Sequence, residues 1–397
     1  LKKELATMLH WQLISPTRSD ESNLRNSSDP ISQEIQLPDG TVRFDWSSWN
    51  SGKALGMQCL TIDTQAMRTV ILPMRGMGIW KSWVQGIEFG WQSPVAGPVH
   101  PALVPVADPS GIGWLEGFDE LLVRCGLLSN GAPDFDSQGR VIHPVHGRIA
   151  NLPASQLRIE VDPQQGTLDV IGTVIESRFL IYSLELQTRM RFRAGSSTIE
   201  IHDTVTNTRS TPGSMQLLYH INLGQGPLES GSKIIAPLRR LAPRDTRAAQ
   251  GIDGWDRCEG PQSGYSEQVY YAEPLGSEDQ WTEAMLCNAD ESIGYSVLFD
   301  QSTLPVVNFW KNTGALQDGY VVGIEPATGF PNTKSFEHQH HRTVPLQGGE
   351  SQSFRLKLQP HGTKSQVALA RHRIESLQTQ PCSIEKQPAP GWSPEAS

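Results

Sequence analysis

Leu157-Arg-Ile-Glu-Val161, Thr167-Leu-Asp-Val-Ile-Gly-Thr-Val174, Leu184-Glu-Leu-Gln-Thr-Arg-Met-Arg-Phe192 and Ser197-Thr-Ile-Glu-Ile-His-Asp-Thr-Val205 follow one another in mid-chain. In these segments apolar and polar residues alternate, as in a strand with one face on a core and the other in water. Asp162-Pro-Gln-Gln-Gly166 and Arg193-Ala-Gly-Ser-Ser197 supply turns between them. Strands in succession, with no helical segment between, leave no room for the crossovers of a parallel sheet. The stretch predicts an all-β, antiparallel sandwich rather than βαβ units.

Toward the N-terminus the same signal returns at Leu55-Gly-Met-Gln-Cys-Leu-Thr-Ile62 and Thr69-Val-Ile-Leu72. Helical periodicity is confined to the first fifteen residues and to Gln366–Leu377. No repeat of about 20–50 residues is visible, which disfavours a propeller or solenoid. Residues 16–35 are polar and rich in Ser and Pro and read as an extended arm or surface loop. After Pro360 the composition turns polar, and Pro388-Ala-Pro-Gly-Trp-Ser-Pro394 closes as a tail. The expected division is an arm over residues 1–39, one large β domain over 40–362 and an extension over 363–397.

Thirty-three basic and 42 acidic residues give a net charge of −9, which argues against nucleic acid or an anionic membrane as partner. The five cysteines, Cys59, Cys125, Cys258, Cys287 and Cys382, are scattered and form no CxxC pair. They make a poor disulfide or zinc framework, so reduced thiols in a cytoplasmic compartment are expected. No apolar run approaches the roughly 18–20 residues that span a bilayer, and the first residues lack the apolar stretch of a secretory signal.

Chemistry concentrates in three short segments: His143-Pro-Val-His146-Gly-Arg148, Tyr219-His-Ile-Asn-Leu-Gly224 and Gly323-Ile-Glu-Pro-Ala-Thr-Gly-Phe-Pro331. Pro144 and Gly147 rule out a helical metal pair at His143 and His146, but a loop can turn both rings toward one ligand. Arg148 adds a fork suited to sugar hydroxyls or an anionic substituent. His220 ends a largely apolar strand, where a polar ring needs a hydrogen-bond partner. Glu325 ends another, and Pro326 biases it to an extended conformation that fixes its direction. A carboxyl among apolar neighbours has the raised pKa that a general base near neutrality needs. The structural alternatives are a backbone-bonded turn histidine, a satisfied core histidine and a salt-bridged glutamate. Arg75-Gly-Met-Gly-Ile-Trp80, Gly86-Ile-Glu-Phe-Gly-Trp91-Gln-Ser-Pro94 and Arg124-Cys-Gly-Leu127 mix close-approach glycines, arginines and tryptophans suited to a sugar. Cys125 has no evident base to make it a nucleophile. His338-Gln-His340-His341 looks like a metal tract but is read as solvated or structural. No phosphate-cradling glycine loop is present.

Taken in order, these segments resemble the aldose 1-epimerase (galactose mutarotase-like) superfamily over about residues 50–360, most closely an uncharacterised bacterial branch of it (DUF4432-like). His146-Gly147, His220 with Asn222-Leu223, and Glu325-Pro326 with Phe330-Pro331 carry the likeness, with Gly86–Pro94, Cys125–Leu127 and Asp203–Asn207 pointing to the branch. The resemblance implies a large antiparallel β supersandwich with the site on a concave sheet face. It also implies that Glu325 takes the anomeric proton and His220 protonates the ring oxygen, with no cofactor. His146 and Arg75 would bind hydroxyls. His143 and Pro144 stand where the family carries an Asn, and Glu267 is the nearest stand-in for its substrate-binding Asp. His143, Arg148, Trp91, Arg124 and Asn222 complete the expected substrate-binding set. Arg75, Arg124 and Arg148 together suggest a basic pocket and an anionic or modified sugar. Two other activities fit the same fold: a non-catalytic sugar-binding or sensing protein, and a lyase or isomerase of uronate sugars.

Overall fold

A computed structural model describes residues 8–15 and 30–396. Among these residues the chain forms a nine-stranded and a fourteen-stranded sheet, antiparallel except for a two-residue parallel edge at Ser383–Ile384. The alternating stretch supplies consecutive neighbours of the nine-stranded sheet: Ala154–Asp162, Thr167–Arg178, Tyr182–Arg193 and Ile199–Asn207. Both predicted turns fall between these strands.

The two sheets face each other across the main core. The inward residues of Ala154–Asp162 (Leu157, Ile159, Val161) and of Ile199–Asn207 (Ile201, Val205) meet those of the larger sheet, such as Leu217, Tyr219, Ile221, Val322 and Ile324. Period-2 alternation sends the intervening residues of the larger sheet to its opposite face. There Val123, Cys125, Leu218, Val269, Tyr271 and Ala327 form a second apolar cluster with Trp91, Trp114, Phe118, Phe330 and Trp392. This outer face carries the candidate site.

The N-terminal expectation is corrected. The helix expected over the first fifteen residues is, where described, the strand Leu9–Ile14, paired with Ala154–Asp162. Leu-His-Trp-Gln-Leu-Ile alternates, and the waiting sheet edge decides for period 2. The described end of the arm is the strand Ile31–Leu37, paired with Gly40–Ser48, so no boundary falls at residue 39; residues 16–29 lie outside the described residues. At the other end Gln366–Leu377 is helical as expected, within Lys364–Leu377, capped by the Thr363 hydroxyl. Val367, Ala370 and Ile374 pack it on Met285 and Cys287. The tail is no free extension: the Trp392 ring packs at a tilt on Phe330, 4.8 Å between centroids, and its carbonyl accepts from Asn332 Nδ2 at 2.8 Å. All five cysteines are free thiols, four of them buried. Among the described residues no helix is long and apolar enough to cross a membrane.

Candidate active site

Strand register builds the site. The strands Gly213–Leu223 and Tyr320–Ala327 pair so that Leu218 faces Ala327 and Ile221 faces Ile324, which sets His220 opposite Glu325. Val123 lies opposite His220, Asn308 opposite Glu325, and Tyr271 opposite Asn308. A row of five side chains, Val123, His220, Glu325, Asn308 and Tyr271, thus crosses five strands on the outer face. In the next row Gly323 stands between Asn222 and Trp310. A Cβ on Gly323 would lie 2.7 Å from Glu325 Oε1 and 3.2 Å from His220 Cε1. The glycine therefore makes the space that the two functional groups occupy.

His220 Nε2 lies 3.0 Å from Glu325 Oε1, with both side chains about 95% buried. The same Glu325 oxygen has no aligned hydrogen-bond donor. Asn222 fixes the imidazole. Its Nδ2 donates to the Glu120 carbonyl at 2.9 Å, so its Oδ1 is the acceptor facing His220 Nδ1 at 2.6 Å. The Nδ1–H tautomer follows, leaving Nε2 toward Glu325. Burial raises the Glu325 pKa well above the carboxylate range, with the Glu267 charge adding to the rise. Burial, and after it His146, pushes His220 well below the usual imidazole value. Burial thus favours the protonated form of the carboxyl and the neutral form of the imidazole.

Aromatic rings enclose the pair. Phe118, Trp310 and His146 stand 5.1, 5.3 and 5.5 Å from the His220 ring, and Trp114 lies 4.7 Å from His146. The His146 backbone is left-handed (φ 57°) and leads into Gly147, where a Cβ would strike the carbonyl oxygens of Ser129 and Gly126 at 2.2 and 2.3 Å. This tight turn aims His146 across the sheet, and the ring is held by the Asn130 carbonyl at 3.0 Å from Nδ1. At the rim, Glu267 accepts from Trp310 Nε1 at 2.7 Å and from Arg244 at 3.0 Å.

Of the expected site residues, Glu325, His220, Asn222, His146 and Glu267 come together. Asn222 acts on His220 rather than on a ligand. The other five do not join them. Arg75 is a buried clamp: Nε pairs with Glu120 at 2.7 Å, one terminal nitrogen donates to the Gly117 carbonyl at 2.7 Å, and the other bonds Asn151. Arg124 points to the inner core, where it forks onto Asp203 at 2.5 and 3.0 Å and bonds Thr188 and the Met77 carbonyl. Both residues are 1% exposed and bonded to protein acceptors, and Arg124 has every N–H engaged. Trp91 is one ring removed, 4.9 Å from Phe118, with its N–H on the Glu120 carbonyl. His143 and Arg148 line a separate cavity behind the His146 turn. The expected basic pocket, and with it the ground for an anionic sugar at this site, is therefore corrected.

Sequence reading missed Phe118, Trp114, Trp310 and Arg244. Only Trp310 left a signal: in Val306-Val-Asn-Phe-Trp310, period 2 puts Asn308 and Trp310 on one face and Val307 and Phe309 on the other. Cys125 lies on the site face, and burial, Glu325 and Glu120 hold its thiol protonated. In the histidine tract, His340 packs on Phe336 at 4.4 Å and His338 bonds Thr343 at 3.1 Å. Among the described residues no cluster of three His, Cys, Asp or Glu is poised around a metal position.

A family model described as a domain of unknown function, DUF4432, matches residues 54–359. Among solved structures, a Klebsiella pneumoniae protein provisionally described as an aldose 1-epimerase matches at 30% identity with a TM-score of 0.89, over 96% of this chain and 99% of that one. A galactose mutarotase-like protein from Clostridium acetobutylicum matches at 12% identity with a TM-score of 0.56, over 81% and 98% of the two chains. That second likeness concerns the fold. A search of curated proteins gave no match.

Proposed function

This chain belongs to the DUF4432 family and has the galactose mutarotase-like fold, and from its site we propose that it is a cofactor-free aldose 1-epimerase. The observation that carries this reading is the buried His220–Glu325 pair, 3.0 Å apart with a fixed tautomer. The description of the Klebsiella relative agrees with it.

Interconverting anomers requires one group to take the proton of the anomeric hydroxyl while another gives a proton to the ring oxygen. Desolvation favours the neutral forms of both groups. Sugar hydroxyls entering the site donate to the Glu325 carboxyl, which favours its ionised form, and the proton passes to His220 Nε2. Glu325 then removes the O1 proton, the C1–O5 bond breaks, and O5 takes the proton from Nε2. Rotation about C1–C2 turns the other aldehyde face toward O5, and the same transfers in reverse close the opposite anomer. The pair ends with the protons it began with. Asn222 stabilises the imidazolium through Nδ1–H, and His146 offers Nε2 to a hydroxyl. Phe118 and Trp310 provide faces for the apolar side of a sugar ring. Arg244 at the rim is ion-paired with two carboxylates, Asp245 and Glu267, so an uncharged aldose suits the site better than an anionic one.

Anomer exchange by NMR across a panel of neutral aldoses tests the proposal. Catalysed exchange should fall by roughly 10²–10⁴-fold in Glu325→Gln. Wild-type exchange rates in that variant for every accelerated sugar overturn the mechanism. Saturable binding without any acceleration assigns the protein to sugar binding instead, and a solvent label appearing at carbon assigns it to the lyase or isomerase class.

A further inference from the structure

Behind the His146 turn lies a cavity of about 100 Å³ lined by Ser129, His143, Gly147, Arg148, Glu176 and Tyr182. It shares Leu128, His143, Ile181 and Tyr182 with an adjoining cavity of about 280 Å³. Hydrogen-bonding capacity around the smaller cavity is lopsided. The Ser129 residue is 1% exposed, yet its hydroxyl has no partner. Among the described residues no hydrogen bond or ion pair engages the side chains of Arg148, His143 or Lys334, whose charge acts on both His143 and Glu176.

The acceptors, by contrast, are spent. Glu176 Oε2 takes the Leu127 N–H at 2.7 Å, and the carboxyl also accepts from the Leu128 N–H and the Tyr182 hydroxyl. Asp134, near His143, takes the Ser335 N–H at 3.0 Å. Burial and the neighbouring cations push His143 down to about 4, and burial lowers Lys334 to about 8. Among the described residues the cavity therefore presents an Arg148 guanidinium, a His143 imidazole and a Ser129 hydroxyl whose side chains have no bonded partner, beside a Glu176 carboxyl already engaged by the Leu127 N–H. About 100 Å³ is the room of roughly three water molecules, enough for a compact acceptor group.

We propose that this cavity is a binding site for a small oxyanion, held by Arg148, Ser129 and His143. Unpaired donors converging on an enclosed volume bind charged oxygen acceptors strongly, and an arginine fork matches their geometry. The site is distinct from the His220–Glu325 pair, because the 143–148 turn stands between them and sends His146 to one side and His143 and Arg148 to the other. Occupancy would brace that turn, and His146 with it.

Inorganic phosphate and sulfate titrated calorimetrically into the full chain test this without reference to turnover. One saturable site is expected, weakened at least about tenfold in Arg148→Met. If that variant does not keep the wild-type melting profile, Lys334→Met removes a half-buried cation whose charge reaches His143 and should weaken binding in the same direction. Phosphate that stays bound at saturating aldose identifies a free oxyanion as occupant. Displacement of phosphate by an aldose phosphate, with an Arg148-dependent affinity, identifies an anionic substituent of a sugar. Failure of both anions to bind the wild type, or unchanged affinity in the folded variants, overturns the proposal.

Discussion

At the scale of single residues, the site depends on groups that never touch a sugar. Asn222 accepts from His220 Nδ1 and donates to the Glu120 carbonyl, both within a buried environment. Asn222→Ala would leave a buried ring N–H unpaired, at a cost of about 1–3 kcal/mol, while the Glu120 carbonyl keeps the Trp91 N–H. It would also free the imidazole to change tautomer. Exchange kinetics should show a lower kcat with little change in KM, since no ligand contact is lost, and a shifted pH profile. A rise in KM alone would mean that Asn222 binds substrate instead. Glu325, His220 and Asn222 were legible in sequence because each is a polar residue set into an apolar strand, an anomaly that asks for a role. Arg75 and Arg124 presented a similar anomaly and misled. Their partners Glu120 and Asp203 lie 45 and 79 residues further on, and only the folded sheets show that the charges cancel.

Strands with one wet face announce themselves, and those buried on both faces do not. The nine-stranded sheet was readable because its outer face meets solvent, as the alternating burial of Tyr182–Arg193 and Ile199–Asn207 shows. Every residue of Leu122–Leu127 and of Tyr320–Ala327 is buried, so the strands that hold the site carry no such period. There the informative residue is Gly323, whose missing side chain makes room for Glu325 and His220 from the adjacent row. Gly323→Ala would place a methyl 2.7 Å from Glu325 Oε1 and 3.3 Å from Trp310 Cβ. The carboxyl, being the flexible partner, should yield and leave its position beside His220. We expect a folded protein destabilised by about 1–3 kcal/mol and a loss of catalysed exchange of roughly 10²-fold, the usual consequence of a displaced catalytic group. Full activity in a variant with a wild-type melting curve would show that the carboxylate position is not limiting.

For the molecule as a whole, the two sheets are joined by buried polar ties as well as by the apolar core. Arg124 reaches from the larger sheet to Asp203 on the smaller, where Tyr219 also donates to Asp203 at 2.9 Å. Glu176, on the smaller sheet, reaches back to the Leu127 N–H on the larger. Burial raises the Glu176 pKa from 4.5 to about 7, and this makes sheet stacking sensitive to pH. Below about 4.5 the carboxyl is protonated in folded and unfolded chains alike and contributes no pH dependence. Between about 4.5 and 7 the unfolded chain releases the proton and the folded one retains it, so stability falls as pH rises, then levels off above the folded value. A rise of this size corresponds to on the order of 3 kcal/mol across the window. His143 and His361, both lowered to about 4, act oppositely, since the unfolded chain binds more protons between about 4 and 6.5. Their contribution is common to wild type and Glu176→Gln and cancels in the difference. Urea midpoints for the two proteins, measured from pH 4.5 to 7, should therefore diverge, the wild type losing stability relative to the glutamine variant as pH rises. Parallel curves would mean that Glu176 is ionised in the folded protein throughout, with the nearby Arg148 and Lys334 charges outweighing its burial.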